Sequence, residues 1–280
     1  TLGSTTVICT DKTGTLTENQ MTVREIHLAS EKAYKVEGSG YEPKGDILEN
    51  DEKVNLDENE DLKDLITASV LSSNATLSEE ENQYKIIGDP TEGGLVVLGK
   101  KASIEKESLE KDNYSRIGEI PFNSKEKFMA TAYEIDSSEK TIYIKGAPDI
   151  LIEMAKDKES IVEKMNKIND SLAEKGMRVL AIGKIRDYDG DGSEESMRKA
   201  IENGIELLGL TGIIDPPRED VKQAIREAQD AGIRVIMITG DHPKTASIIA
   251  SQIDMENYDD VLTGREMDKM SDEELAEKIL

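Results

Sequence analysis

Asp11 is the residue of this sequence best placed to do chemistry. It follows the short apolar run 7–9 and precedes a turn that Gly14 would make, so a carboxylate is delivered at the end of a buried strand. In an open α/β sheet, ligands bind beyond the carboxyl ends of the strands, where loop amides point into a crevice. This position suits a nucleophile that accepts a phosphoryl group.

A second carboxylate ends a similar unit near the other end of the chain. A helix is predicted over 218–231, where Gly232 stops it, and a strand over 233–238 leads into Thr239-Gly240-Asp241 and a helix over 243–253. The run 235–238 is almost continuously apolar, which is typical of a parallel strand covered on both faces. We therefore expect Asp11 and Asp241 to meet at one edge of a common sheet.

The residues between these two units have a different pattern. Alternating apolar residues predict strands, and apolar residues spaced by three and four predict helices. The predicted strands are 85–87, 116–120, 129–135, 141–145, 179–185 and 207–213, and the predicted helices are 61–73, 91–102, 150–154 and 160–175. The acidic stretches 49–60, 77–83 and 187–195 are typical of solvated loops. Strands in series with helices beside them favour an antiparallel α+β insert.

These patterns predict two domains. One is a discontinuous α/β domain formed by residues 1–23 and 215–280, and the other is the inserted domain 24–214. The segments 19–21 and 215–217, where the chain crosses between them, are the predicted hinge.

Composition narrows the classes of function. The net charge is −24, which repels phosphate backbones, so we expect no nucleic-acid partner and only local donors for any bound anion. The single cysteine, Cys9, excludes a disulfide framework and is interpreted as a packing residue of its strand. No apolar run reaches the roughly eighteen residues of a membrane helix, which predicts a soluble chain.

The segment from Ile8 to Thr17 resembles the phosphorylation motif of P-type cation-transporting ATPases. Three further motifs of that family follow in the same order, and two segments resemble its second subgroup, the calcium-type and sodium/potassium-type pumps. The motifs are Lys145-Gly146-Ala147-Pro148-Asp149, Asp215-Pro216-Pro217-Arg218 and Thr239-Gly240-Asp241, and the subgroup segments are 88–93 and 121–124. The resemblance covers essentially the whole chain, and a bacterial-style calcium pump is the hypothesis it favours.

The resemblance implies an architecture. Residues 1–23 and 215–280 would be an incomplete phosphorylation domain of haloacid-dehalogenase-like, Rossmann-like fold, interrupted by an α+β nucleotide-binding domain built on an antiparallel sheet. The chain would be the soluble, cytoplasmic part of a membrane pump. Its partners would be the membrane helices and the actuator domain of the same polypeptide, and the isolated chain would show little turnover.

The resemblance also implies the chemistry at Asp11. This carboxylate would attack the γ-phosphate of ATP and form an aspartyl-phosphate, with Mg²⁺ held by Asp11 and the backbone of Thr13. Thr13, Thr239 and Gly240 would donate to the phosphoryl oxygens, and Asp241 would support the loop. The catalytic residues implied are thus Asp11, Lys12, Thr13, Thr239, Gly240 and Asp241.

In the insert, the resemblance implies a nucleotide site. Phe122 would stack on adenine, and Glu92 would read the adenine amino edge. Lys127 and Lys145 would approach the nucleotide beside Gly146. The simpler alternatives are a core position for Phe122, an ordinary first-turn helix acid for Glu92 and a surface position for either lysine.

Three charged residues complete the predicted nucleotide set. Arg178 would face the phosphates, or would only pair with a carboxylate of this acidic chain. Asp215 and Arg218 flank two prolines at the return from the insert, where the guanidinium can reach a phosphate or a carboxylate.

Two other classes of protein compete with the pump. Phosphatases of the same fold usually carry a second Asp two residues after the nucleophile as general acid and base, and here that residue is Thr13. Without a proton-transferring group at that position an acyl-phosphate is not readily cleaved, which favours an energy-coupling intermediate. The third class, a nucleotide-binding module without chemistry, stays open, and the transported ion cannot be deduced from this sequence.

Overall fold

The computed structural model describes residues 5–80, 83–156, 158–241 and 243–279. Residue contacts divide the chain into unit 1, which is Thr1–Glu18 with Pro217–Leu280, and unit 2, which is Asn19–Pro216. The ends of the predicted discontinuous domain, residues 1–4 and 280, lie outside the described residues.

The strands in chain order are β1 (Val7–Asp11), β2 (Thr22–Leu28), β3 (Ala33–Val36), β4 (Ile47–Glu49), β5 (Glu52–Lys53), β6 (Thr76–Glu80), β7 (Gln83–Ile87), β8 (Tyr114–Ile120), β9 (Phe128–Ile135), β10 (Glu139–Gly146), β11 (Arg178–Ile185), β12 (Glu206–Ile214) and β13 (Arg234–Ile238). The helices are α1 (Glu60–Leu71), α2 (Pro90–Lys101), α3 (Lys106–Asp112), α4 (Pro148–Glu153), α5 (Lys158–Glu174), α6 (Glu194–Glu202), α7 (Val221–Asp230), α8 (Pro243–Gln252), α9 (Gly264–Met267) and α10 (Asp272–Ile279).

Unit 2 is built on a nine-stranded antiparallel sheet of order β5-β4-β3-β2-β12-β11-β10-β9-β8. Two hydrophobic clusters account for its core. The first includes Leu62, Leu65 and Ile66 of α1 with Leu95 and Leu98 of α2. The second draws on α4, α5 and α6 through Leu151, Ile152, Met165, Leu172, Met197 and Ile201. The sheet confirms the antiparallel α+β class expected for the insert.

The chain enters and leaves unit 2 on neighbouring strands. β2 pairs antiparallel with β12, and Thr22 lies opposite Ile214. The backbone N–H of Gln20 donates to the buried carboxylate of Asp215 at 3.1 Å, and the side chain of Gln20 accepts from the N–H of Tyr41 at 2.6 Å. The first and last residues of the unit are therefore tied together.

Several elements of unit 2 differ from the sequence-based prediction. The strands β2–β5 and the helices α3 and α6 were not predicted, and the predicted loop 77–83 contains strand residues of a separate two-stranded sheet of β6 and β7. Residues 81 and 82 of that loop lie outside the described residues. The predicted loop 187–195 ends at Ser193, whose hydroxyl caps α6. Polar, exposed ribbons and short amphipathic helices have a composition close to that of loops, which explains these errors.

In unit 1, β1 and β13 form a parallel two-stranded sheet, with Val7 opposite Arg234 and Asp11 opposite Ile238. Val235 and Met237 pack on a small core formed by Leu16, Val221, Ile225, Ala250, Ile253 and Met255. The intervening residues of a strand point to the other face, and Ile238 is 57% exposed.

This arrangement corrects two expectations about unit 1. The run 235–238 is not covered on both faces, and Cys9 is exposed rather than a packing residue. The physical reason is that, in the described part of the chain, each of the two strands pairs only with the other and the core cluster lies on one side. No helix of the described residues is long and apolar enough to cross a membrane.

Candidate functional site

Asp11 is the last residue of β1 and its side chain is exposed. The chain then turns through Lys12–Leu16, where Gly14 has a φ of 75°, a conformation that favours glycine. Thr17 closes the turn, since its hydroxyl donates to the carbonyl of Lys12 at 3.1 Å and accepts from the N–H of Gly14 at 3.3 Å. The predicted strand and glycine turn are therefore confirmed, and the carboxylate of Asp11 is open to solvent.

The parallel pairing of β1 and β13 brings the second carboxylate to the same edge. The ammonium group of Lys12 lies 2.7 Å from the Oδ2 atom of Asp241, and the lysine side chain is buried while that of Asp241 is 35% exposed. The N–H of Asp241 donates to the hydroxyl of Thr239 at 3.1 Å. Asp11, Thr13 and Gly240 are exposed beside this pair. The structure thus gathers at one edge the six residues that the sequence singled out for chemistry.

Arg218, at the start of the second chain segment of unit 1, supports the turn. Its guanidinium donates to the carbonyl of Gly14 at 3.0 Å and to that of Thr17 at 3.3 Å, and its backbone N–H donates to Leu16 at 3.0 Å. The sequence allowed a phosphate or a carboxylate as the partner of Arg218, and the contacts described here are with main-chain carbonyls instead. This arginine fixes the shape of the turn that follows Asp11.

The donors at this edge suit a magnesium ion bound together with phosphate. The carboxylate of Asp11 and the carbonyl of Thr13 are hard oxygen donors, and Mg²⁺ is usually held by one or two carboxylates and by substrate phosphates. The residues present therefore fit a metal that arrives with its phosphate ligand.

In unit 2, Glu92 lies in the first turn of α2, which Asp89 caps by accepting from the N–H groups of Thr91 and Glu92. One oxygen of the Glu92 carboxylate accepts from the backbone N–H of Asn74 at 2.7 Å and of Ala75 at 3.0 Å. The other oxygen lies 3.0 Å from the ammonium group of Lys145. Glu92 therefore joins α2 both to the segment after α1 and to the central sheet.

Lys145 is a buried lysine of β10. Besides Glu92, its ammonium group contacts the carbonyl of Ser72 and, at 3.4 Å, the hydroxyl of Ser73. Burial lowers the pKa of Lys145 to about 8, and the carboxylate of Glu92 opposes that shift. The carbonyl end of α1 and the Glu92 carboxylate together hold this cation. Lys145 is thus a buried lysine held by defined polar contacts, and not a surface lysine.

Phe122 and Lys127 lie in the connection between β8 and β9. The ring of Phe122 is 64% exposed, so it is not a core residue. The ammonium group of Lys127 pairs with Asp149 at 3.1 Å. Its carbonyl accepts from Ala147 at 2.9 Å and lies only 2.6 Å from the position that a Cβ atom on Gly146 would take. A glycine is required at residue 146 because the turn packs directly on it.

Arg178, the first residue of β11, donates to the hydroxyl of Thr91 at 2.8 Å. Arg178 therefore lies beside the start of α2, where its partner Thr91 directly precedes Glu92 in the sequence. Asp215 is the remaining predicted nucleotide residue, and its carboxylate is engaged with Gln20 at the entrance to unit 2. The structure thus links Glu92, Lys145 and Arg178 through α2, and it links Lys127 to Gly146.

A polar network beside Glu92 was missed by the sequence reasoning. The side chain of Asn74 donates to Glu119 at 2.7 Å and accepts from Arg116 at 2.9 Å, and Arg116 also pairs with Glu119 at 2.8 Å. Lys106 donates to the carbonyl of Ser73 at 2.9 Å. The signal that could have found it is the polar run 72–74 directly after a helical pattern, which marks a helix end whose carbonyls need donors.

A cleft of about 520 Å³ lies elsewhere in unit 2, between α4, α6 and the connection that carries Lys127. Its lining includes Glu126, Phe128 and Arg198, but neither Glu92 nor Lys145. None of the residues predicted to hold a nucleotide lines this cleft, although Glu126 and Phe128 on either side of Lys127 do.

Comparisons with known proteins agree with this geometry. Residues 61–220, more than half of the chain, match the family model described as P-type ATPase, cytoplasmic domain N. Over 153 residues the chain is 38% identical to a calcium-transporting ATPase of Bacillus subtilis, which covers 55% of this chain and 17% of that protein. It is 36% identical to calcium-transporting ATPase 1 of Lactococcus lactis, over 100% of this chain and 30% of the relative.

A third relative, the cation-transporting ATPase pma1 of Synechocystis, is 36% identical over 99% of this chain and 32% of its own length. The chain therefore spans about a third or less of the curated relatives it matches. The match to domain N over more than half of the chain, together with relatives that are 36% identical over nearly all of it, shows that this chain belongs to the family of P-type cation-transporting ATPases.

Proposed function

We propose that this chain is the ATP-binding and phosphate-accepting part of a type II P-type cation pump. Unit 2 would bind ATP, and Asp11 of unit 1 would accept its γ-phosphoryl group. Support comes from the family membership, from the four motifs at positions 8–17, 145–149, 215–218 and 239–241, and from the exposed carboxylate at the end of β1.

The proposed step is an in-line displacement at phosphorus. A carboxylate oxygen of Asp11 forms the new bond to phosphorus while the bond to the bridging oxygen of ADP breaks, and ADP leaves with that electron pair. Lys12, Thr13, Thr239 and Gly240 offer donors to the phosphoryl oxygens, and Asp241 holds Lys12 in place. Bound Mg²⁺ would supply charge neutralisation at the phosphate oxygens, with Asp11 and the Thr13 carbonyl as its protein ligands.

Thr13 separates this proposal from a phosphatase of haloacid-dehalogenase type. The hydroxyl of Thr13 can donate a hydrogen bond, but it is a poor general base. The aspartyl-phosphate would therefore be hydrolysed slowly once it has formed. In a pump that lifetime is useful, because the energy of the acyl-phosphate is then available for a conformational step. Hydrolysis would require the actuator domain, so we propose that the isolated chain has little turnover.

The remaining features of the proposal concern the whole pump. The membrane helices would bind the ion and would place this chain at the cytoplasmic face of the membrane. Two of the relatives described above are named calcium-transporting ATPases, which makes Ca²⁺ the preferred ion.

The observation that carries the proposal is the exposed Asp11 at the shared edge of β1 and β13, with the Lys12–Asp241 pair beside it. The test is incubation of the full-length protein with γ-labelled ATP and Mg²⁺, followed by an acid quench. Acid-stable, hydroxylamine-sensitive label is expected on the wild type and is expected to vanish in Asp11→Asn, which should still bind ATP.

Two other outcomes would decide for the competing classes. Mg²⁺-dependent phosphate release by the 280-residue chain that survives Asp11→Asn would contradict the proposed nucleophile. ATP binding without any label in the full-length protein would identify a nucleotide module without chemistry.

A further inference from the structure

The connection between β8 and β9 carries two of the residues proposed to bind the nucleotide, yet most of it has little packing of its own. Residues 121–125 are all exposed. The segment closes on itself through the N–H of Lys127, which donates to the carbonyl of Asn123 at 2.6 Å. Lys127 has a φ of 58°, a conformation that is rarely adopted by residues other than glycine. Something besides apolar burial must hold this turn in place.

Within residues 121–127 only Glu126 is partly buried, and its carboxylate forms an ion pair with the guanidinium of Arg198. The two guanidinium NH groups of Arg198 contact the two carboxylate oxygens of Glu126 at 2.5 and 3.0 Å. A parallel pair of hydrogen bonds of this kind fixes relative orientation as well as distance. Glu126 therefore cannot turn without breaking both contacts.

The arginine itself is fixed. Its Nε and one NH group donate to Glu194 at 2.9 and 2.8 Å, one turn earlier on α6. Met197 and Ile201 anchor α6 in the second core cluster of unit 2. The hydrogen bonds lower the pKa of Glu126 and raise that of Arg198, so both stay charged near neutral pH. The packed helix α6 thus holds the exposed 121–127 turn through one bidentate ion pair.

We propose that Glu126 and Arg198 are positioning residues for ATP, and that their ion pair holds the 121–127 turn so that Phe122 and Lys127 are presented to the nucleotide before it arrives. The inference rests on the proposed function of unit 2. Isolated surface ion pairs often contribute nothing measurable, but a bidentate, networked pair on a rigid element is the recognised exception. A preformed turn raises affinity because less conformational freedom is lost on binding.

The test is a titration of the 280-residue chain with ATP, monitored through the NMR signals of its two phenylalanine rings. Phe128 is buried and serves as the internal reference for the exposed Phe122. Arg198→Ala is expected to raise the Kd for ATP by roughly three- to tenfold, which is the cost of ordering one or two side chains. Glu126→Gln, which keeps the shape of the side chain, is expected to raise the Kd in the same direction.

Arg186→Ala is the matched control. Arg186 is another arginine of unit 2 with two carboxylate partners, Glu206 and Asp64, each at 3.1 Å. Its removal changes the net charge by the same amount but touches no part of the 121–127 turn. The Kd for ATP is expected to stay within twofold of the wild type.

A second readout separates positioning from a general loss of structure. In a Phe122→Ala background, Arg198→Ala should have a smaller effect on the Kd than in the wild type, because the ring is gone and only Lys127 remains to be presented. Equal Kd values for Arg198→Ala and Arg186→Ala, or fully additive effects of Arg198→Ala and Phe122→Ala, would overturn the inference. Should Arg198→Ala not fold, the same comparisons apply to Glu126→Gln. A wild-type chain that does not bind ATP at all would instead refute the proposed function.

Discussion

Two lysine–carboxylate pairs show how differently the two units support their candidate sites. In unit 1, Lys12 contacts Asp241 at 2.7 Å, and in unit 2, Lys145 contacts Glu92 at 3.0 Å. Both lysines are buried, but the side chain of Asp241 is 35% exposed and that of Glu92 only 14%. Glu92 also accepts two backbone N–H groups. The first pair lies at an open edge, and the second is part of the protein's internal structure.

The surroundings of the two pairs follow the same contrast. Unit 1 rests on two strands and a core cluster of six buried residues, whereas the nine-stranded sheet of unit 2 is accompanied by two much larger clusters. Packing therefore positions the residues of unit 2, and backbone hydrogen bonds of a turn position those of unit 1. The comparison teaches that substitutions should separate into effects on stability in unit 2 and effects on chemistry in unit 1.

The largest effect is expected from Leu65→Ala, which opens a cavity in the first core cluster of unit 2. Leu65 is completely buried, and such changes cost about 3 kcal/mol of the free energy of unfolding. Since all but one of the eight tyrosines lie in unit 2, urea denaturation followed by the tyrosine signal reports mainly on this unit. Ile253→Ala in the core of unit 1 is the matched change, and it should leave that transition in place. A loss of the same size would contradict the contrast.

A smaller loss is expected from Glu92→Ala. The change leaves the N–H groups of Asn74 and Ala75 and the ammonium group of Lys145 without the carboxylate, which costs about 2 kcal/mol. Asp241→Ala removes the more exposed partner of its pair and should cost under about 1 kcal/mol. Hydrogen exchange read peptide by peptide measures the two changes separately. Equal losses would show that both pairs are structural.

The pH dependence of unit 2 gives a finer test. The pKa of Lys145 is about 8 in the folded chain, below its ordinary value, so between pH 8 and 9.5 the unfolded state binds more protons and stability should rise with pH. The partly buried Lys101, with a pKa of about 8, adds to the same slope. Lys145→Met should reduce the slope without abolishing it. A slope unchanged by that substitution would mean that Lys145 does not titrate in this range.

The affinity for ATP should change in the opposite direction over the same range. As Lys145 loses its proton above pH 8, a positive charge proposed to face the nucleotide is lost, so the Kd for ATP should rise. Stability and affinity measured on one set of samples would then diverge with pH. A Kd that stays constant between pH 7 and 9 would place Lys145 outside the nucleotide site.

A small effect on stability is also expected from Gly14→Ala. The φ of 75° at this residue strains any other side chain by about 1 kcal/mol. Gly232→Ala is the matched control, because its φ is 76° and no atom lies within 4 Å of the added Cβ position. The two changes should cost similar stability, but only Gly14→Ala should lower the acid-stable label in the full-length protein. Equal labelling would mean that the turn tolerates strain without loss of chemistry.

Local patterns were sufficient to predict the two strands whose ends carry the candidate catalytic residues. The strand before Asp11, the glycine turn, the strand of 234–238 and most strands between 114 and 214 follow from alternation and from turn residues close in sequence. Coverage of a strand depends on its neighbours in the sheet, which no local pattern contains. For that reason the burial of 235–238 and of Cys9 was predicted wrongly.

The internal contacts of the nucleotide region could not be predicted for a related reason. Lys145 meets Ser72, and Glu92 meets Asn74, across long stretches of intervening chain. Pairings of this kind are decided by tertiary packing, and an acid in the first turn of a helix, such as Glu92, has the same local signature whether or not it reaches another element. The motif resemblance singled out Glu92 and Lys145, but it gave no information about which residues they contact.

The pairing of β2 with β12 has a consequence for how this protein can be taken apart. Because Thr22 lies opposite Ile214, and Gln20 is bonded to Asp215, both severed ends of a 19–216 fragment would leave the same place on the sheet. Excision there breaks no ladder and opens no core, so the fragment should fold as an autonomous module. The same adjacency would let such a module be grafted into a host loop whose ends are only one strand spacing apart, about 5 Å.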